Sequence, residues 1–294
     1  MENTWYYHGN EPIKIKRYLQ SLGMGHRLFN DIKNGAGVLM VDHREVRPTT
    51  KILPNQPLTI KVDPEPVDPT VAVSEGPLNI VYEDDNWLVI NKPAGLSSVP
   101  GPTEQEDTVL NRVKGYLIQK AAEDQRPHLI TRLDRFTSGL MLIAKHRVAS
   151  SMISHQVQTH RVKKEYLAIV SGHLPAEHGL IDQPIARVKD QISREISPDG
   201  QPAKTEYWVE AVKDQYSLVR LRLHSGRTHQ IRVHLSWLGN PLVGDHLYGG
   251  ELDQVEHQAL HATRLEFLNP FTEKELSFKV TLPQALQELW DQLN

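Results

Sequence analysis

Three prolines within six residues, Pro64, Pro66 and Pro69, constrain this chain more than any other feature. Each lacks an amide hydrogen and fixes its own φ, so the run Asp63-Pro64-Glu65-Pro66-Val67-Asp68-Pro69 continues neither a helix nor a central strand. The chain is therefore expected to divide here, into a small domain over 1–62, a linker over 63–77 and a larger domain over 78–294. Before the linker, Ile13 to Leu19 and Leu28 to Lys33 read as two short helices, followed by strands over Gly35 to Val41 and Leu58 to Val62. After it, Asn79 to Tyr82 and Trp87 to Ile90 flank Glu83-Asp84-Asp85-Asn86, a hairpin pattern whose acids serve the turn. Thr108 to Ala122 carries apolar residues at Val109, Leu110, Val113, Tyr116 and Leu117, the spacing of an amphipathic helix laid on a sheet. Val148 to Val157 gives a second, shorter helix. A further hairpin, Thr205 to Val212 and Ser217 to Leu223, turns at Lys213-Asp214-Gln215 and leads into Gly226-Arg227. The polar stretch Val188 to Ala203 is expected to be an exposed, mobile excursion.

A length of 294 residues suits about two domains, and a 39% hydrophobic share supports an ordinary core. The absence of cysteine excludes disulfides and thiolate metal sites. Met1-Glu2-Asn3-Thr4-Trp5-Tyr6-Tyr7 lacks the basic and apolar regions of a signal peptide. Leu140 to Ala144 is far short of the roughly 18–20 residues of a membrane span. A soluble cytoplasmic protein with no membrane partner is expected. The net charge of −3 does not advertise a phosphate-rich partner, but its distribution does. Met1 to Val62 holds nine Lys or Arg against five Asp or Glu, or +4, and His128 to Glu165 holds seven against two, or +5. Gln215 to Gly244 contains no acid, while Arg220, Arg222, Arg227 and Arg232 fall within it. Such a field attracts a phosphate backbone and makes binding salt-dependent.

Asp134 stands in the run Arg132-Leu133-Asp134-Arg135-Phe136-Thr137-Ser138-Gly139. A carboxylate between two arginines is either a surface ion pair, worth roughly 0–1 kcal/mol, or a group held ionised for attack on an electron-poor sugar carbon. The run alone does not choose between these. His224, His229 and His234 raise the question of a metal, but steps of five turn about 140° along a helix, so the three share no face. No metal site is expected.

His128-Leu129-Ile130-Thr131, the Asp134 run and the apolar Leu140-Met141-Leu142-Ile143-Ala144-Lys145 together resemble the signature loop and strand of the RluA family of RNA pseudouridine synthases, the ribosomal large subunit type. Further matching segments follow in order: Asn91-Lys92-Pro93-Ala94-Gly95-Leu96 upstream, then Lys164-Glu165-Tyr166-Leu167-Ala168 and Ser225-Gly226-Arg227-Thr228-His229-Gln230-Ile231-Arg232-Val233-His234 downstream. Gly244-Asp245-His246-Leu247-Tyr248-Gly249 and His261-Ala262-Thr263-Arg264-Leu265 complete the series.

The resemblance implies an α+β pseudouridine synthase fold with a largely antiparallel mixed β-sheet flanked by helices. It also implies a small amino-terminal RNA-binding α+β domain, similar to the ribosomal-protein S-four type but divergent at Val41-Asp42-His43-Arg44-Glu45-Val46. The implied reaction detaches uracil from its ribose, turns it and rejoins it through carbon, with no cofactor, after the nucleotide has left its stack. By resemblance Asp134 is the catalytic carboxylate, Tyr166 stacks on the uracil or takes part in proton transfer, and Arg227 pairs with Asp134. Arg132 fills the space left by the base or contacts phosphate, and Arg135, Lys92, His229 and Arg232 are expected to bind RNA or support the loops. The chain departs from the pattern at Phe136 and at Ser97-Ser98-Val99-Pro100, which bears on loop contacts and hence on the choice of target. The expected partner is RNA, ribosomal RNA ahead of transfer RNA, met by a monomer. A protein that binds RNA without catalysis is the rival from another class. A nucleoside or glycoside hydrolase is the third reading, and it requires a second carboxylate for which the sequence offers no motif.

Overall fold

The computed structural model describes residues 1–250, 255 and 257–293, so the last residue of the larger expected domain, 294, lies outside the described residues. The amino-terminal part contains strands β1 (Glu2–Tyr6) and β2 (Ile13–Lys14), helices α1 (Ile15–Ser21) and α2 (His26–Asp31), and strands β3 (Gly37–Val41), β4 (Arg44–Glu45), β5 (Lys51–Ile52) and β6 (Pro57–Val62). Both short helices and the two strands expected from periodicity are present. Strand β1 was not read from the sequence. It pairs antiparallel with β6 along the order β1-β6-β3-β4, and Trp5 is its anchor, donating from Nε1 to Pro270 O at 3.3 Å. The helices cover this sheet by packing Ile15, Leu19 and Leu28 on Leu39, Leu58 and Ile60, and Val148 and Met152 from the larger part complete the same core. Residues 63–79 contain no helix or strand, as the prolines require, but they are tied down. The buried Lys114 ammonium donates to Asp68 O at 2.8 Å and Val71 O at 2.5 Å.

The rest of the chain builds a ten-stranded sheet. Strands β7 (Ile80–Glu83) and β8 (Trp87–Lys92) form the expected hairpin, and Asp84 Oδ1 accepts from the amides of Asn86 and Trp87 to close its turn. After α3 (Val109–Gln119) come β9 (His128–Leu129) and β10 (Ser138–Ala144); after α4 (Arg147–Gln158) come β11 (Lys163–Ser171), β12 (His178–Asp182), β13 (Ile185–Arg187) and β14 (Arg194–Ile196). Strands β15 (Lys204–Lys213) and β16 (Tyr216–Leu223), helix α5 (Gln230–Trp237), strands β17 (Leu260–Leu268) and β18 (Glu275–Lys279) and helix α6 (Gln284–Gln292) follow. The sheet order is β12-β15-β16-β11-β17-β10-β8-β7, with β18 on β17 and β9 on β10. Its described pairings are antiparallel except β10 with β17, the mixed and largely antiparallel sheet that was expected.

Alternation explains why β10 is apolar throughout. Leu88, Ile90, Met141 and Ile143 face Val109, Val113 and Leu117 of α3, whereas Trp87, Val89, Leu140 and Leu142 face Ala149 and Ile153 of α4. A strand covered on both faces needs apolar residues at consecutive positions, not alternate ones. Thr108 caps α3 in a reciprocal box with Asn111, so the helix starts where the periodicity placed it.

The stretch 188–203 departs from its reading as an exposed excursion. It carries the second half of a hairpin, β13 with β14, that packs Ile185, Ile196 and Ala203 against Val233 of α5. Its few apolar residues are diluted by polar neighbours, which hid the hairpin from a periodicity test.

The floor of the sheet near Asp134 depends on Gly139. Its φ is +114°, and a Cβ built there would lie 2.3 Å from Ala262 O on the parallel partner strand. Gly139→Ala should therefore lower stability by at least about 2 kcal/mol, read as a drop in Tm by calorimetry. An unchanged Tm would show that β10 and β17 separate at no cost.

Candidate active site

Asp134 is carried by the loop between β9 and β10, and five hydrogen bonds fix that loop. Ser98 Oγ donates to Leu133 O at 2.6 Å and accepts from Leu133 N at 3.0 Å, gripping the preceding residue by both main-chain groups. Thr137 N donates to Asp134 O at 3.1 Å, which makes Asp134 the head of a turn. On the far side Arg135 O accepts from Gly95 N at 3.0 Å and from Lys92 Nζ at 2.9 Å. Lys92 also donates to Pro93 O at 2.9 Å and Leu96 O at 2.8 Å.

Of the two expectations for Lys92, this geometry overturns RNA contact and supports the loop role. It is 1% exposed and donates all three ammonium hydrogens to main-chain carbonyls, so it has none left for RNA. Burial draws its pKa down to about 7, and the nearby Asp134 charge opposes the shift. Its place is to lock the 93–96 loop onto the Asp134 loop. Ser98, in the segment where the chain departs from the family pattern, does comparable work and was not singled out from sequence.

The expected pairing of Arg227 with Asp134 is not formed. Arg232 Nη1 stands 3.4 Å from Asp134 Oδ2 instead. Arg227 precedes α5, in a turn where Gln230 Oε1 accepts from Arg227 N at 3.0 Å, and its side chain turns to the rim, donating from Nε to Pro202 O at 3.1 Å. Arg232 lies inside the helix, on a turn whose residues Gln230 to Leu235 are all buried. Its other two nitrogens are engaged by Asp245: Nε to Oδ2 at 2.7 Å and Nη2 to Oδ1 at 2.8 Å. Asp245 is 1% exposed, so this two-pronged ion pair sits out of water and sets the plane of the guanidinium. The Tyr248 ring lies 4.9 Å from Arg232 Cζ. Asp245 and Tyr248 both belong to the segment Gly244-Asp245-His246-Leu247-Tyr248-Gly249. Its role is to aim Arg232.

Tyr166 approaches from β11. It is buried, and burial together with the Asp134 charge pushes its phenol above the ordinary tyrosine range, so it is neutral. Asp134, Tyr166, Arg132, Arg227, His229 and Arg232 line one cavity of about 490 Å³. His229, at a left-handed φ of 58° just before α5, shares a 2.8 Å hydrogen bond between Nδ1 and Tyr248 Oη. Burial foremost lowers its pKa. Arg132 is exposed at the mouth, while Arg135 donates from Nε to Gly95 O at 3.0 Å and lies over Phe136, which stacks on His257 at 3.7 Å. His224 and His234 go elsewhere, to Glu206 and to Thr205 with Gln183. A second cavity, of about 580 Å³, opens where α2, the 63–71 segment and α4 meet, away from Asp134.

Two solved human structures share this architecture. RNA Pseudouridylate Synthase Domain Containing 4 superposes with a TM-score of 0.59 at 26% identity, over 72% of this chain and 93% of that one. RNA Pseudouridylate Synthase Domain Containing 1 gives 0.56 at 27% identity, over 74% and 95%. They define the class. The model of the RNA pseudouridylate synthase family matches residues 86–237, and the chain belongs to that family, whose members convert uridine to pseudouridine in RNA. Among its relatives, the Bacillus subtilis protein called uncharacterized RNA pseudouridine synthase YjbO is 40% identical over 278 residues, 94% of this chain and 98% of the relative. Ribosomal large subunit pseudouridine synthase D of Vibrio cholerae is 38% identical over 258 residues, 83% and 79% of the two chains.

A lysine is a single point of charge on a flexible stem and does not span two carboxylates in one plane. Arg232→Lys should slow single-turnover isomerisation about 100-fold, equivalent to roughly 2.7 kcal/mol of lost transition-state stabilisation. A rate within threefold of wild type would mean that Arg232 does not aim Asp134.

Proposed function

We propose that this protein isomerises a specific uridine of large-subunit ribosomal RNA, with Asp134 as the group that acts on the ribose. The observation that carries the assignment is that Asp134 is the sole carboxylate among the described residues lining its cavity. A glycoside hydrolase needs two, about 5–9.5 Å apart, one to protonate the leaving group. Asp245 does not fill that part, because it is buried and already held by Arg232. An isomerisation that returns the same base to the same sugar needs only one.

In this reading the uridine swings out of its stack into the cavity. The Asp134 carboxylate stabilises or attacks C1′ as the bond to N1 breaks, and Arg232 holds it in place. Tyr166 presents its ring to the uracil and keeps water from C1′, while Arg132 occupies the gap in the RNA. Rejoining through C5 expels the hydrogen on C5, and N1 gains one, so the product is an isomer of the substrate. Aiming one carboxylate through a buried ion pair, a buried lysine and a doubly bonded serine serves no purpose in a protein that only binds RNA.

The ribosomal target is supported by relatives named for the large ribosomal subunit and by the amino-terminal sheet, which we assign as an RNA-binding domain over 1–62, joined by the 63–77 linker to a catalytic domain over 78–294. Lys14, Lys16, Arg17 and Arg27 give it the charge to reach phosphates. The protein acts as a cytoplasmic monomer in this assignment. Among the described residues no helix is long and apolar enough to cross a membrane.

Carbodiimide mapping of ribosomal and transfer RNA from a strain lacking the gene, rescued by wild type or Asp134→Asn, tests the assignment. A stop in large-subunit ribosomal RNA should return with wild type alone, and purified Asp134→Asn should bind that RNA within about threefold of wild type, under 1 kcal/mol. A stop restored by Asp134→Asn would remove Asp134 from the reaction, and one confined to transfer RNA would replace the target.

A further inference from the structure

At the outer end of the active cavity, cations gather without an acid to neutralise them. Lys164 and Tyr166 stand two residues apart on β11, whose register with β16 runs regularly through Glu165↔Arg222 and Tyr166↔Leu221. The irregularity at this point belongs to β17, where Thr263 is the extra residue. Both side chains therefore emerge on one face, about 6.6 Å apart along the strand. Both line the cavity that holds Asp134. The Lys164 ammonium lies beneath the Gly226-Arg227 loop, where a Cβ built on Gly226 would stand 3.5 Å from Nζ.

An imidazole and a guanidinium close around it. Lys164 and His160 share a small side chamber with the apolar Ile130, Val157 and Val162. Burial foremost, then repulsion from Lys164, Arg227 and His224, lowers the His160 pKa, which places these groups within electrostatic reach of one another. Arg227 donates from Nε to Pro202 O, and its terminal nitrogens have no partner among the described residues. The neighbouring acids are already engaged. Glu165 points to the other face and binds Arg222, and Glu206 is shared by His178 and His224. Lys164 itself has no hydrogen-bond acceptor among the described residues, and burial alone lowers its pKa. Its ammonium faces the cavity with no carboxylate to pair with among the described residues, so an anion that arrives with the substrate gains a charge-assisted contact there.

We propose that Lys164, Arg227 and His160 form a subsite for the phosphodiester adjacent to the uridine being isomerised. The inference rests on the RNA isomerase reading. With the target ribose over Asp134 and Tyr166, a flanking phosphate is the anion that RNA brings within one strand step of Tyr166. Phosphate contacts fix register and orientation, and here they hold the backbone where it bends to release the base.

The test uses a synthetic RNA stem-loop carrying the mapped uridine, labelled with tritium at C5. Neutral methylphosphonate replaces, one at a time, the phosphate on its 5′ or 3′ side. Lys164→Gln should bind the unmodified stem-loop about tenfold more weakly than wild type, with a salt slope smaller by about one. One of the two methylphosphonates should weaken wild type by a similar factor and cost Lys164→Gln nothing more. Lys164→Arg should restore binding. Losses that multiply at both linkages overturn the subsite, as does wild-type affinity in Lys164→Gln. A Lys164→Arg protein that melts normally yet binds as weakly as Lys164→Gln assigns the loss to packing and overturns it too. If wild type releases no tritium from the unmodified stem-loop, the isomerase reading fails first and the subsite with it.

Discussion

Everything at this site depends on one guanidinium shared between two carboxylates. Asp245 takes two nitrogens of Arg232 in a buried, two-pronged pair, which leaves the third directed at Asp134. The two carboxylates differ in the surroundings that the fold gives them. Asp245 lies in the interior, whereas the Asp134 side chain keeps 27% of its surface open to the cavity. A charge pair out of water is stiff, because separating it exposes two uncompensated ions. Arg232 thus braces the exposed carboxylate from α5.

The Asp134 loop answers with its own constraints. Its residues have neither helix nor strand to hold them, so position comes from Ser98 on one side and Lys92 with Gly95 on the other. These contacts are to main-chain atoms and are indifferent to the side chains of the loop. The parallel pairing of β10 with β17 brings two strand ends together beneath Asp134, and Ser138 Oγ shares a 2.7 Å bond with His261 Nδ1 there. Strand β11 adds Tyr166 on the same side of the sheet. The cavity walls are therefore regular elements, and its rim is built from loops, where Arg132 and Arg227 stand.

Much of this was legible in the residues. Spacing placed α3, α4 and both hairpins, because each buries one face against a sheet and its apolar period is clean. Asp134, Tyr166 and the order of motifs came from resemblance, and the structure brings them into one cavity. The pairing of Asp134 was misread because Arg227 and Arg232 stand five residues apart in one motif, and only the helix start at Gln230 separates a rim side chain from an interior one. The residues leave Lys92 between RNA contact and loop support, because its burial by three carbonyls, which decides for the loops, is a tertiary fact. Strand β1 and the β13–β14 hairpin escaped for the same reason: each rests on few apolar residues whose partners, Pro270 for Trp5 and Val233 for Ile196, are distant in the chain.

The most direct test of the brace is the single-turnover rate of Asp245→Asn at saturating RNA. Asparagine keeps the shape of Asp245 but gives up its charge and one of its two acceptors, so Arg232 loses its fixed plane while Asp134 is untouched. The rate should fall at least about tenfold with RNA affinity unchanged, since a misaimed group costs rate and not binding. A rate equal to wild type would show that Asp134 is positioned without Arg232 and Asp245, and the account of the site would fail.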